Sequence, residues 1–196
     1  LMDDIQSIIY FVKEKTPNQK RYLYGHSMGG SLVLNYALLQ KPQNINGLII
    51  TSPAFRPAFD PPKIKLIMGK LLKKLIPSLT LNNELELSGL ARSQDVMKKY
   101  LNDPLVHDRL SIQLGLDLLK YGELALDFAS KYNFPTLICH GKKDKLTSFY
   151  ASKEFSENSG SNIKFIEFEN AYHEIHNEPE KDQLILNIHT WMKNMM

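Results

Sequence analysis

The sequence predicts an α/β protein in which a mostly parallel sheet carries helices on both faces and is interrupted by one long helical insertion. Three observations lead there. Short apolar runs, Tyr22-Leu23-Tyr24, Gly47 to Thr51, Pro135 to Cys139 and Ile163 to Phe168, alternate with segments of helical periodicity. Runs that are apolar at nearly every position suit strands buried on both faces, which is the condition of a parallel sheet. A glycine-rich turn joins the first run to a helix, and about 80 residues separate the second run from the third, where an α/β unit needs only a short loop and one helix.

Along the chain, residues 1–15 place Ile5, Ile8, Ile9 and Val12 at helical spacing, with Asp3 and Asp4 at the start and Lys13 and Lys15 at the end, as the helix dipole favours. Thr16-Pro17-Asn18 breaks that helix. The strand Tyr22 to Tyr24, the turn Gly25 to Gly30 and an apolar helix from Leu32 to Leu39 follow, then the strand Gly47 to Thr51. After the insertion come the strand ending at Cys139, a helix over Ser152 to Glu157, the strand Ile163 to Phe168 and a closing helix over Gln183 to Met192. Residues 1–52 and 134–196 therefore form the core, and residues 53–133 a helical cap. Within the cap, Lys63 to Ile76 puts Ile64, Ile67, Met68, Leu71 and Leu75 on one helical face among five lysines and no acid. Such a basic amphipathic helix suits an anionic membrane surface or a greasy substrate, and equally a helix packed on the core with a solvated lysine face.

Composition narrows the function. With 24 Lys and Arg against 21 Asp and Glu the net charge is +3, so no polyanion such as nucleic acid is expected as partner. The one cysteine, Cys139, forms no intramolecular disulfide and no cysteine-rich zinc site, which fits a reducing, cytoplasmic setting. No apolar run approaches the roughly 18 residues of a membrane span, and Leu1 to Asp4 carry no basic signal region. The oligomeric state is not legible. The opening at Leu1, directly into an amphipathic pattern, suggests a chain that starts inside a larger protein.

The chemistry is concentrated in Gly25-His26-Ser27-Met28-Gly29-Gly30, a G-x-S-x-G turn between a strand and a helix. A turn that tight strains the serine backbone, projects its hydroxyl and asks its glycine neighbours to lack a Cβ. The helix N-terminus and the Met28 N–H then face the oxyanion that forms when Ser27 attacks a carbonyl. A serine needs a base and an acid that orients the base. The loop after Cys139 carries Asp144, and the loop after Phe168 carries His173, with His176 as a rival three residues on. His173 and His176 also make an H-x-x-H pair, but no third ligand stands at metal-site spacing, so no metal is expected.

These segments resemble a known group. GHSMGG over Gly25 to Gly30, Gly141-Lys142-Lys143-Asp144 and Tyr172-His173-Glu174-Ile175-His176-Asn177-Glu178-Pro179-Glu180 are similar to the monoacylglycerol lipase and lysophospholipase group of the α/β-hydrolase superfamily, which is serine aminopeptidase-like. Leu90 to Asp95 and Tyr100 to His107 in the cap resemble it as well. The resemblance implies Ser27 as nucleophile, Asp144 as acid and His173, rather than His176, as base. It also implies hydrolysis of glycerol or lysophospholipid fatty-acyl esters under a mobile apolar cap, with no cofactor. The alternatives are a peptidase or acyltransferase on the same fold and a non-catalytic lipid-binding homologue. Members of the group begin with further strands and a His-Gly element that supplies a second oxyanion donor. Neither is found in this sequence, so the N-terminal strands are expected to be missing and the nucleophile strand to have one edge unpaired.

Overall fold

The computed structural model describes residues 1–83 and 85–195. In chain order its elements are α1 (Met2–Lys15), β1 (Tyr22–His26), α2 (Met28–Gln40), β2 (Gly47–Thr51), α3 (Lys63–Leu75), β3 (Thr80–Asn82), α4 (Gln94–Asn102), β4 (Arg109–Ser111), α5 (Ile112–Asp127), β5 (Thr136–Gly141), α6 (Phe149–Asn158), β6 (Ile163–Phe168) and α7 (Lys181–Asn194). Four strands form one parallel sheet in the order β1-β2-β5-β6, so spatial order follows chain order. The helices α2, α5 and α6 make the three crossovers, as parallel neighbours require.

Both faces of this sheet are covered, and the strands divide their side chains between them with period 2. Leu48, Ile50 and Ile138 join Val33, Leu34, Tyr36 and Ala37 of α2, Ala125 of α5 and Phe155 of α6 in one apolar cluster. Ile49, Leu137 and Cys139 join Leu184 and Trp191 of α7 in the other. This double burial is why the strands read as continuous apolar runs. It also buries α2 around most of its circumference, since Ser31 and Val33 to Ala37 are all buried.

Within residues 53–133 the structure is mostly helical, with a short antiparallel pair, Thr80–Asn82 against Arg109–Ser111, that the sequence did not announce. Strands of three residues carry too few alternations to be seen as a pattern. The C-terminal part of the stretch turns back onto the core, where Ala125, Ala129 and Tyr132 enter the first cluster. The helix α3 has no buried residue at all. The apolar stripe Ile64, Ile67, Met68, Leu71 and Leu75 is 54% to 78% exposed, while Leu66 and Leu72 are half-buried and the helix meets α5 with Gly69 beside Leu116 and Lys73 Nζ 2.8 Å from Asp117 Oδ1.

At the far side of the sheet β1 is the outermost strand and pairs only with β2 among the described residues. Tyr24 on β1 is exposed, as are Ile8, Phe11 and Val12 on α1. No helix of the described residues is long and apolar enough to cross a membrane.

Candidate active site

The carboxyl ends of the four strands carry the candidate site, because each strand there hands over to a loop whose backbone the sheet holds in place. Ser27 follows β1 and precedes α2 with φ 54° and ψ −119°, a left-handed backbone that a serine adopts only when its surroundings over-determine it. Hydrogen bonds supply that restraint. Ser27 N donates to Thr51 O at 2.9 Å, and Ser27 O accepts from Ala54 N at 3.1 Å and Ser31 N at 3.2 Å. Met28 opens α2, so its N–H belongs to the unpaired first turn of that helix.

The glycines around Ser27 differ from the symmetrical expectation. A Cβ on Gly25 would sit 2.5 Å from Gly29 O and 2.7 Å from Val33 Cγ2, and one on Gly30 would sit 2.9 Å from Ile50 Cγ2. A Cβ on Gly29 would meet nothing within 4 Å. The close approach of α2 to β1 and β2 therefore excludes side chains at 25 and 30, whereas position 29 faces open space.

Asp144 and His173 meet as their loops fold together. Asp144 Oδ2 lies 2.7 Å from His173 Nδ1, which leaves Nε2 of that ring for a hydroxyl. The same carboxylate is fully buried and saturated: His140 Nε2 lies 3.0 Å from Oδ2, Thr147 Oγ1 donates to Oδ2 at 2.9 Å, and the Leu146 and Thr147 amides donate to Oδ1 at 2.7 and 3.0 Å. Burial by itself raises an acid, but the hydrogen bonds from His140 and His173 outweigh it and hold Asp144 well below the usual carboxylate range. The ring of His26, the residue before Ser27, lies 4.8 Å from the His173 ring between centroids. Burial, reinforced by the neighbouring His173 and His176, pushes the His26 imidazole down to about 3. His176 is exposed, 4.8 Å from His26 between ring centroids, and makes no bond to Asp144.

Several residues of the site escaped the sequence. His140 at the end of β5 spans Asp144 and Ser152 Oγ, the latter 2.8 Å from Nδ1. Ser52, at φ 46°, donates its hydroxyl to His173 O at 2.7 Å and so holds the His173 backbone from behind. Glu178 is buried in an ion pair with Arg92 of the insertion, and its Oε1 also accepts the Arg92 N–H at 2.8 Å. Next to it Glu174 N donates to Leu90 O at 2.8 Å. The loop carrying His173 is thus stapled to the insertion. The available signals were Thr51-Ser52 and His140 at strand ends, and an Arg and a Glu inside two segments already singled out.

His26, Glu174 and His176 bring one possible ligand atom each within 4.8 Å of one another. This grouping differs from the H-x-x-H pair, because His173 Nδ1 is taken by Asp144.

Comparison with known proteins places this geometry in a lineage. The chain is 35% identical over 194 residues to an uncharacterised abhydrolase domain-containing protein of Dictyostelium discoideum, covering 98% of this chain and 20% of that protein. It is 30% identical over 177 residues to a putative monoglyceride lipase of Schizosaccharomyces pombe, covering 87% of this chain and 47% of that one. The chain thus spans a fifth and about half of these two curated relatives. The crystal structure of a monoacylglycerol lipase from Paleococcus ferrophilus superposes with a TM-score of 0.90 at 32% identity, over 100% of this chain and 74% of that one. A family of hydrolases described as serine aminopeptidase, S33, matches residues 1–180. With the elbow, the parallel sheet and this match in agreement, the chain belongs to that serine aminopeptidase family and has the α/β-hydrolase fold.

Proposed function

We propose that this chain carries the catalytic machinery of a serine ester hydrolase that cleaves fatty-acyl esters of glycerol or of lysophospholipids. One observation carries the reading: the buried Asp144 holds His173 at 2.7 Å beside the strained serine turn that opens α2. In the proposed cycle His173 Nε2 takes the Ser27 proton as Oγ attacks the ester carbonyl, and the Met28 N–H donates to the developing oxyanion. The imidazolium then returns the proton to the leaving alcohol, and water repeats the sequence on the acyl-enzyme. Asp144 keeps its charge throughout, which fixes the His173 tautomer and stabilises the imidazolium. These residues perform the chemistry with no cofactor.

The lipophilic substrate class is supported by the relatives and by the insertion. Residues 53–133 serve as the cap in this reading, with Arg92 and Leu90 tying it to the base loop and α3 presenting an apolar face flanked by the exposed Lys63, Lys70 and Lys74. That face is laid on an anionic lipid surface from the cytoplasmic side, where the substrate partitions.

The test is labelling by a fluorophosphonate probe together with hydrolysis of monoacylglycerols and lysophospholipids of graded chain length. Ser27→Ala is expected to abolish labelling and to lower turnover by about a million-fold while the fold is kept. Labelling that survives in Ser27→Ala overturns the assignment.

A further inference from the structure

We propose that His26, Glu174 and His176 form a binding site for a zinc-like divalent transition-metal ion at the rim of the serine site, and that the bound ion inhibits the hydrolase. The binding part stands on geometry alone, and the inhibitory part rests on the hydrolase reading. The three ligand atoms lie within 4.8 Å of one another. Tetrahedral zinc with nitrogen and oxygen donors at about 2.0–2.2 Å keeps them about 3.3 Å apart. Closing that gap asks for side-chain rotation in two residues that have room to move, since His176 is exposed and Glu174 partly exposed. Two imidazoles and one carboxylate select a borderline cation such as Zn²⁺ over Mg²⁺ or Ca²⁺, which prefer all-oxygen sites.

Two of the three ligands already have the supporting contacts that metal sites use. His26 Nδ1 lies 3.0 Å from Thr51 Oγ1, which leaves Nε2 as the metal-facing nitrogen. Glu174 Oε2 accepts from Asn177 Nδ2 at 2.8 Å.

Inhibition follows from position. The ring of His26 is 4.8 Å from that of His173 and follows directly into Ser27. A dication held on His26 opposes the positive charge that His173 must acquire in the transition state. It also ties the base loop, through Glu174 and His176, to the serine turn, which restricts entry of an ester between them.

The full chain is titrated with CoCl2, followed by its visible absorption, and with ZnCl2 by calorimetry. One ion per chain is expected, with binding weakened by about tenfold or more in Glu174→Ala and in His176→Ala. Zn²⁺ is expected to slow fluorophosphonate labelling of the parent chain and to leave the His176→Ala variant labelled at its metal-free rate. Absence of binding in the parent, or equal binding in both variants, refutes the site. If the parent is not labelled even without metal, the hydrolase reading fails, and the CoCl2 titration still decides the site.

Discussion

His173 and His176 stand three residues apart, yet only His173 touches the buried carboxylate, at 2.7 Å from Asp144 Oδ2. His173→Ala is therefore expected to lower ester turnover as severely as loss of the serine, and His176→Ala much less, in a steady-state assay on a soluble short-chain ester; the opposite order identifies His176 as the base. The glycines give a stability contrast. Gly25→Ala forces a Cβ to 2.5 Å from Gly29 O and is expected to destabilise by about 1–3 kcal/mol in urea unfolding. Gly29→Ala meets no neighbour and has no positive φ, so it is expected to be neutral or stabilising by up to about 1 kcal/mol. The same centre governs acid stability. As pH falls, the unfolded chain protonates His26 at its ordinary value of about 6.5, whereas the folded chain resists until about 3. Stability is lost across that window. Asp144, whose folded value is depressed, contributes stability that is full above the ordinary carboxylate range and disappears as pH drops below it. Urea midpoints that stay level from pH 7 to pH 4, on the order of the window named, contradict this account.

The insertion was legible as helical, but the direction of its first helix was not. The periodicity of α3 shows one apolar stripe and leaves open whether it faces protein or water. In the fold the stripe points outward, and the contact with α5 is made by the opposite side through Gly69 and Lys73. Lys73 is thereby committed to Asp117, and the lysines available to a lipid surface are Lys63, Lys70 and Lys74. Replacing Lys70 and Lys74 by Gln is expected to weaken sedimentation with anionic vesicles, by about 1 kcal/mol per charge, and to spare hydrolysis of a short soluble ester. Binding unaltered by the double change leaves α3 without an electrostatic role at a membrane. Lys73→Gln is expected instead to loosen α3 from α5.

For the molecule as a whole, the informative edge is β1. The strand order β1-β2-β5-β6 among the described residues puts the strand before Ser27 on the outside, with Tyr24 exposed on it. Open strand edges with little charge pair with other chains. A polypeptide of these 196 residues is expected to form dimers or larger species, with an apparent mass in sedimentation that rises with concentration. A concentration-independent monomer is the result that contradicts this.

The four strands, the strained turn and the loops that carry Asp144 and His173 were readable from the amino-acid order because each is a local matter. An apolar run, a pair of glycines two residues either side of a serine, and a loop at a strand end are all contained in a few consecutive residues. The remaining members of the site depend on segments far apart in the chain. His140 and Thr147 reach Asp144, Ser52 holds the backbone of His173, and Arg92 pairs with the buried Glu178 only after the sheet has stacked their loops at one end. A histidine beside a strand, or an acid among lysines, looks the same in sequence whether it is solvated or buried against a partner. Tertiary packing alone decided which polar side chains lost water, and so which required partners.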